Sequence, residues 1–571
     1  MSTQPAHQHV PYRNRKERQW RSASGLKSTI SVLNVALIAT LVFSSWSVFQ
    51  LQPWNGVATW DAAANSVTQW SDVNPYGVNT FLSGEVESWK RDRTMAMVAE
   101  AGIGWIRQGF AWSEIEPEND VYWDAKYQQD AWAKFDEIVA LAERYGVRII
   151  ARLDHTPDWA RLPGSDPGTP PTDPNDFGDF VHAFVRRYQG RVNFIQVWNE
   201  PNLAREWGGV IDPAGYATLL ATAAERAREA NPNIVILSAP MAMTTENSGR
   251  AQDELGYWQA LYDHGVSESF DIMSANAYGL ADHYAAEPSA SVLNVRRVEL
   301  LRELAVRNGD GHKSIWFNEF GWNAAPAEFP LEQLTWSRVD EELQAEWTAG
   351  GVEYAQQSWD WFGMASIWYF RQVGNIAPDR ADYYFRMVDL EFTPRDVYRS
   401  VQASSSRMQV AGVGHFGELE TPILPHGRWA IIKNTDASNG RYMLGESGSS
   451  VAVRFTGSAL DLRLVDFGSN GTFSVTIFDG ATMDGEGSQP RVFSIEPGQD
   501  SVRVTSTALP HPASAAPQTR TALITVDDGS QLAIDGVSVY YEPSYRNLLA
   551  GTAVAAATLV ALIWLRRQLA R

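Results

Sequence analysis

The chain has 571 residues, of which 44% are hydrophobic and 20% charged, with a formal net charge of −20 and no cysteine. That length calls for more than one domain, and the composition is that of folded material, not of a disordered chain. The negative charge weighs against a nucleic-acid partner, and the lack of thiols excludes a disulfide framework, a cysteine-ligated metal and a thiol nucleophile.

In chain order, residues 1–29 form a basic segment of net +5. Residues 30–49 carry no charge, and at about 1.5 Å per residue a helix of that length spans a ~30 Å hydrocarbon core. The expectation is a transmembrane helix over 30–51. A cleaved signal peptide is the competing reading, although the apolar run is long for a signal core and no small-x-small site closes it. A second uncharged run, 548–565, ends at Arg566 and Arg567. It predicts a transmembrane helix over 547–565 with a tail at 566–571. Basic flanks outside both runs place both termini in the cytoplasm, and the remainder of the chain, net −28, outside the cell membrane.

This body divides by composition: 19 of the 23 tryptophans fall between Trp54 and Trp368, and after residue 400 only Trp429 and Trp564 remain. In the first part, 52–410, short apolar runs at 77–82, 105–110, 148–153, 194–198, 234–238, 271–275, 314–317 and 365–370 read as strands. Helical patterns lie between them, as at 130–145, 177–188 and 213–230. Eight such units predict a (β/α)8 TIM barrel with long loops. A doubly wound open sheet is the runner-up, but no Gly-rich phosphate fingerprint follows the first strand. The second part, 415–541, has strand-like runs at 451–456, 459–464, 471–477, 491–495, 501–504, 521–526 and 535–541. Turn signals about every ten residues predict an antiparallel β-sandwich. The fold class expected is therefore α/β: a TIM barrel followed by a β-sandwich, flanked by two transmembrane helices.

The residues at the C-terminal ends of barrel strands build the active site of such a fold. Two acidic side chains stand at strand ends, Glu200 after the fourth apolar strand and Glu319 after the seventh. A carboxylate there is costly unless paired or functional. Strands four and seven lie across the barrel from one another. Paired carboxylates on either side of a bond are what glycoside hydrolysis needs, one to give a proton to the leaving oxygen and one to attack the anomeric carbon or activate water. Their separation, which decides between retention and inversion, is not written in the sequence.

The motif Trp198-Asn199-Glu200-Pro201-Asn202 resembles the strand-four motif of clan A glycoside hydrolases, and Phe317-Asn318-Glu319-Phe320-Gly321 resembles the strand that carries their nucleophile. Over about 70–405 the chain most resembles glycoside hydrolase family 39, with family 5 next. The resemblance implies retention, with Glu200 as acid/base and Glu319 as nucleophile. It implies further that Asn199 bonds the 2-hydroxyl beside the scissile bond, that Arg107 bonds the nucleophile carboxylate, that Tyr278 contacts the same carboxylate through its hydroxyl, and that Trp368 is a platform beneath the central sugar. Trp112 and His155 stand where cleft-lining residues stand, and Trp159, Trp207 and Trp322 are candidates for outer subsites. One departure is Asn276, where many relatives carry His; Asn donates a hydrogen bond but does not titrate near neutrality.

The function expected is an O-glycosyl hydrolase that cleaves extracellular or cell-envelope polysaccharide by double displacement, with no cofactor and no metal. A catalytically inactive, membrane-anchored glycan-binding protein is the alternative. For 415–541 a carbohydrate-binding role and a plain spacer role are both open.

Overall fold

A computed structural model of the protein describes residues 68–540 apart from short stretches at 375–376, 458, 467–470, 484–486, 496–497 and 506–517, with a helix at Arg546–Gln568 and scattered positions between 25 and 42. Its first eight strands are β1 Tyr76–Thr80, β2 Trp105–Ala111, β3 Arg148–Asp154, β4 Phe194–Val197, β5 Val235–Leu237, β6 Met273–Tyr278, β7 Ile315–Gly321 and β8 Phe362–Ile367. One helix follows each in turn: α1 Ser88–Glu100, α2 Ala133–Tyr145, α3 Pro174–Arg187, α4 Pro213–Ala230, α5 Glu254–Asp263, α6 Val298–Arg307, α7 Glu341–Ser358 and α8 Asp396–Met408. The helix boundaries are written in local chemistry. Asp173, Asp212, Asp253 and Asp340 cap the starts of α3, α4, α5 and α7 by accepting a backbone N–H, and prolines open α3 and α4. Gly146 ends α2 at φ 70°, a left-handed position that costs glycine little.

The strands pair in parallel in the order β5-β4-β3-β2-β1-β8-β7-β6, and a parallel bridge between Leu237 and Ile272 closes β5 against β6. The sheet is therefore the expected eight-stranded barrel. Because successive side chains alternate between faces, each strand fills the barrel in layers. The lowest layer is aromatic: Trp105, Phe194 and Trp316 pack ring to ring at 4.9–5.6 Å. Above it comes a polar layer containing Asn79, Arg107, Gln196 and Asn318, all buried. On the other face of β2, Phe110 packs outward on Phe135 of α2 and Phe184 of α3.

Strand β7 breaks the alternation. Phe317 pairs with Ala275 and Glu319 with Asn276, so two steps on β7 answer one on β6; against β8, Phe317 pairs with Ala365 and Phe320 with Ile367, three steps against two. The extra residue is a bulge, and it turns both Asn318 and Glu319 toward the barrel axis.

The second layer of structure begins with β9 Gly414–Gly417, β10 Ile423–His426, β11 Trp429–Lys433 and β12 Arg441–Gly445, and continues with β13 Ser450–Thr456, β14 Ala459–Leu464, β15 Thr472–Asp479, β16 Arg491–Ser494, β17 Ser501–Thr505, β18 Thr519–Val526 and β19 Leu532–Tyr540. These strands form two sheets, ordered β11-β12-β19-β14-β17 with β9 added to β19, and β10-β13-β18-β15-β16. Every register described between them is antiparallel. The four strands from Gly414 to Gly445 were not expected; their Gly, Pro and His content hides the period-two pattern.

Barrel and sandwich share one compact unit, Thr59–Ser506 with Gln518–Val539. The sandwich packs against the end of the barrel where the strands begin. Asn193, just before β4, donates to the Trp429 carbonyl (3.2 Å), and Lys433 of β11 donates from its backbone N–H to Asn233 (3.0 Å) and from Nζ to the Ile234 carbonyl (2.9 Å). Arg441 of β12 donates from Nη2 to Asp72 (2.6 Å) and from Nε to Glu418 (2.6 Å), with its guanidinium 4.6 Å from the Trp70 ring centroid.

Among the described residues, no helix is long and apolar enough to cross a membrane. The expected membrane segment at 30–51 falls largely outside those residues, as do many side chains of the helix Arg546–Gln568, which covers the other expected segment at 547–565.

Candidate active site

Arg107 organises the mouth of the barrel. It is 3% exposed and spends its donors on four acceptors. Its Nε donates to Gln196 Oε1 (2.7 Å), Nη1 to Asn79 Oδ1 (2.7 Å) and to Glu319 Oε1 (3.1 Å), and Nη2 to Asn199 Oδ1 (2.6 Å). Gln196 also accepts from Asn318 Nδ2 (2.5 Å) and donates to the Trp198 carbonyl (2.6 Å). Because Arg107 claims the Asn199 oxygen, the amide nitrogen of Asn199 is left as a donor at the cleft.

Glu319 is held by both oxygens: Oε1 by Arg107, Oε2 by the Tyr278 hydroxyl at 2.8 Å. Glu200 lies on the other side of the same cleft and accepts one hydrogen bond, from Asn276 Nδ2 at 2.8 Å. The backbone bends sharply to present it: Trp198 and Glu200 have φ of 70° and 46°, and His155 at the end of β3 has 64°. Such values in residues other than glycine hold strain that the surrounding fold must carry.

The charge balance of the two carboxyls differs. Burial, with the Glu319 charge added, pushes the Glu200 carboxyl well above the ordinary range, so it keeps its proton near neutrality. Burial and the neighbouring Glu319 carboxylate likewise push Tyr278 far up, which keeps its hydroxyl a donor. Burial lowers Arg107, and the Glu319 charge works against that loss.

Glu200, Glu319, Asn199, Tyr278, Trp368 and Trp336 line a cleft of about 780 Å³. Trp368 meets Phe81 edge-on at 5.7 Å, and its buried indole N–H has no protein acceptor; the peptide bond that follows it is cis. A neighbouring cavity of about 540 Å³ is lined by Asn79, Arg107, Asp154 and His155, and Arg152 lines both. There His155 Nδ1 and Asp154 Oδ1 share a hydrogen bond of 2.6 Å, and Arg152 pairs with Asp154 at 2.8 Å. Burial works against the Asp154 charge, but Arg152 and His155 outweigh it and hold that carboxyl low; Asp154 in turn raises His155.

The structure thus brings together Arg107, His155, Asn199, Glu200, Tyr278, Glu319 and Trp368 at the mouth. Trp112 is a correction. It is fully buried, stacked on Phe180 at 5.6 Å with its indole N–H given to Glu116 (2.8 Å), because the one-turn helix Trp112–Ile115 turns it into the helix layer. Trp207 and Trp322 are also core residues, 2% and 1% exposed, and Trp159 packs edge-on against Trp112. Sequence reasoning missed Asn79, Gln196, Asn318, Arg152, Asp154 and Trp336, and it met Asn276 only as a departure from a pattern. The usable signal was phase: Asn79, Arg107 and Gln196 all sit on inward positions of apolar strands. Among the described residues, no group of three or more His, Asp or Glu side chains is placed to hold a metal.

A barrel mouth with one carboxylate fixed by Arg and Tyr, and a second carboxyl pushed upward across the same cleft, carries the pair of groups that glycoside hydrolysis needs. A model of the cellulase family, glycosyl hydrolase family 5, matches residues 61–348, and the chain belongs to that family. Clan A membership, expected from the two strand ends, holds, and family 5 is the second of the two families expected. Among solved structures, the chain is similar to a family 39 glycoside hydrolase from the gut symbiont Bacteroides cellulosilyticus WH2 (16% identity over 81% of this chain and 82% of that one, TM-score 0.45). It is also similar to a family 39 enzyme from Xanthomonas axonopodis pv. citri (13% identity, 81% and 95%, TM-score 0.43) and to an endo-β-1,4-glucanase from the same organism (17% identity, 59% and 99%, TM-score 0.40). No curated protein matches the chain.

Proposed function

We propose that this glycoside hydrolase retains anomeric configuration and cleaves a β-linked polysaccharide by double displacement. The observation that carries the reading is the unequal holding of the two carboxyls: Glu319 takes Arg107 and Tyr278, whereas Glu200 takes Asn276 alone and is pushed up. Glu319 attacks the anomeric carbon as the C1–O bond breaks, and Glu200 gives its proton to the departing oxygen. Glu200, now a carboxylate, takes a proton from water, whose oxygen displaces Glu319 and frees the sugar. Asn199 offers its amide N–H to the hydroxyl next to the scissile bond, and Trp368 offers a ring face to the sugar.

The uncharged runs 30–49 and 548–565, with basic residues outside both, support anchoring at the cell membrane with the catalytic body outside. The substrate is then extracellular or envelope polysaccharide. The sandwich, packed on the barrel floor away from the cleft, fits a spacer role better than substrate capture.

The test is release of reducing ends from β-glucan, xylan and mannan by the full-length protein, with Glu200→Gln and Glu319→Gln beside it. Release by the native protein that both substitutions abolish supports the reading. Glycan binding without release, unaffected by either substitution, establishes the inactive glycan-binding alternative instead.

A further inference from the structure

Between β2 and α2 the chain makes a small excursion with no part in the barrel. Trp123–Asp124 pairs antiparallel with Gln129–Asp130 to form a hairpin. Its turn is fixed by Asp124, whose Oδ1 accepts the backbone N–H groups of Lys126 (2.9 Å) and Tyr127 (3.1 Å). Two aromatic side chains on this hairpin stay open to solvent: Trp123 is 46% exposed and Tyr127 48%. Among the described tryptophans of the barrel only Trp89, at 60%, is more exposed than Trp123; an indole left this open gains little from core packing.

The hairpin overlooks a third cavity. It has about 520 Å³ and is lined by Trp123, Tyr127, Val121, Lys126 and Glu118, together with Ser83, Gly84, Ser113 and Glu114. Those last four residues also line the 540 Å³ cavity beside His155. That cavity in turn shares Arg152 with the cleft of Glu200 and Glu319. The three hollows, together termed the trough, lie in a row with shared walls, from the carboxyl pair past the ends of β3, β2 and β1 to the hairpin, each of ordinary ligand-pocket size. Its inner wall is polar and its far wall aromatic. That is the chemistry of a carbohydrate chain, whose hydroxyls seek hydrogen bonds and whose ring faces are apolar.

We propose that the Trp123–Tyr127 hairpin is a remote subsite that grips units of the polysaccharide several sugars away from the bond being cut. It rests on the glycosidase reading given above and adds to it: the protein acts within long chains and discriminates by length. Stacking at the hairpin holds the chain in register over the trough, and this binding energy is realised only by substrates long enough to reach it.

The experiment compares kcat/KM on a short aryl β-glycoside with kcat/KM on the soluble polymer that the native protein cleaves best, in the native protein, Trp123→Ala, Trp123→Phe and Tyr127→Ala. Trp123→Ala is expected to lower the polymer value by roughly tenfold and to leave the aryl glycoside value unchanged, with Trp123→Phe recovering most of the loss. Equal loss on both substrates, or no loss on the polymer, overturns the subsite. Retardation in native gels cast with β-glucan, xylan or glucomannan gives a second readout that needs no turnover. If the native protein cleaves nothing, the function reading fails, and the subsite stands only if a polymer retards the native protein and not Trp123→Ala. Equal retardation of the two, or none by any polymer, overturns it.

Discussion

Arg107 at the mouth of the barrel and Arg441 beneath its floor are both buried guanidinium groups that grip carboxylates. The partners of Arg441 are enclosed to different degrees: Glu418 is 0% exposed, and the part-buried Asp72 is held by Arg441 and by Asn439 at 2.6 Å. Asp72 and Glu418 outweigh burial and raise Arg441, so that cluster is a clasp between barrel and sandwich. The partner of Arg107 faces a cleft. Each end also has carboxyls displaced upward by burial, Glu200 at the mouth, and Glu418 and Glu420 at the floor, both of the latter to about 7. A displaced carboxyl therefore does not tell a reactive end from a structural one. The open cleft beside it does.

The two ends can be separated by substitution. Glu319→Gln is expected to cut kcat/KM by on the order of 10⁴-fold or more while leaving the melting temperature close to native, by reducing-sugar assay and calorimetry. Arg107→Met is expected to lower kcat by about 10²–10³-fold, because Glu319, Asn199 and Gln196 lose their shared donor, and also to cost stability. Arg441→Met should do the reverse. Leaving Asp72 and Glu418 unpaired costs about 3–5 kcal/mol in urea unfolding, whereas kcat/KM at 25 °C stays within about twofold of native because the clasp is remote from the cleft. If Arg441→Met silences turnover in protein that is still folded, the two ends are coupled and the comparison fails.

The pH effects are smaller and run in defined directions. Glu418 and Glu420 favour their protonated forms more in the folded state than in the unfolded chain, so stability falls as pH rises from the ordinary value of 4.5 to about 7. Stability at pH 5 and pH 7.5, from urea unfolding, should differ by about 1–3 kcal/mol in ΔG, and Glu420→Gln should remove part of that slope, Glu418 supplying the rest. At the mouth, the proposed acid role of Glu200 requires its proton, so kcat/KM is expected to fall as pH rises through its raised value. Asn276 donates to Glu200 and so favours its ionised form. Asn276→Ala should move the basic limb of the kcat/KM profile to higher pH by less than about one unit.

Much of this was legible in the residues. Apolar runs bounded by Gly, Asn and Asp marked all eight barrel strands. The Asp-Pro start of α4 located that helix at both ends, and the two Glu-bearing strand ends located the pair. What stayed hidden depends on facing. A tryptophan that follows a strand reads the same whether the next turn aims it at the cleft or, as with Trp112, into the helix layer. The polar layer of Asn79, Gln196 and Asn318 was hidden because each residue taken alone looks like an isolated amide in an apolar strand; only closure of the barrel makes them neighbours of Arg107. The docking of the sandwich on the floor, through Lys433 and Arg441, rests on contacts between residues far apart in the chain.

The bulge in β7 has a genetic corollary. Strict alternation allows one inward residue in two, and the site needs two in succession, Asn318 to meet Gln196 and Glu319 to meet Arg107. A gene that lost the codon for Asn318 would draw Glu319 one layer deeper, to the place of the amide and out of reach of the cleft, and would leave uncompensated the opposite irregularity on β8, where three steps from Phe362 to Ala365 answer two on β7. By point mutation this barrel can lose its chemistry in many ways that also strain the fold. By a single in-frame deletion in β7 it would lose the placement of Glu319 with every side chain of the catalytic pair and its partners Arg107 and Tyr278 still encoded.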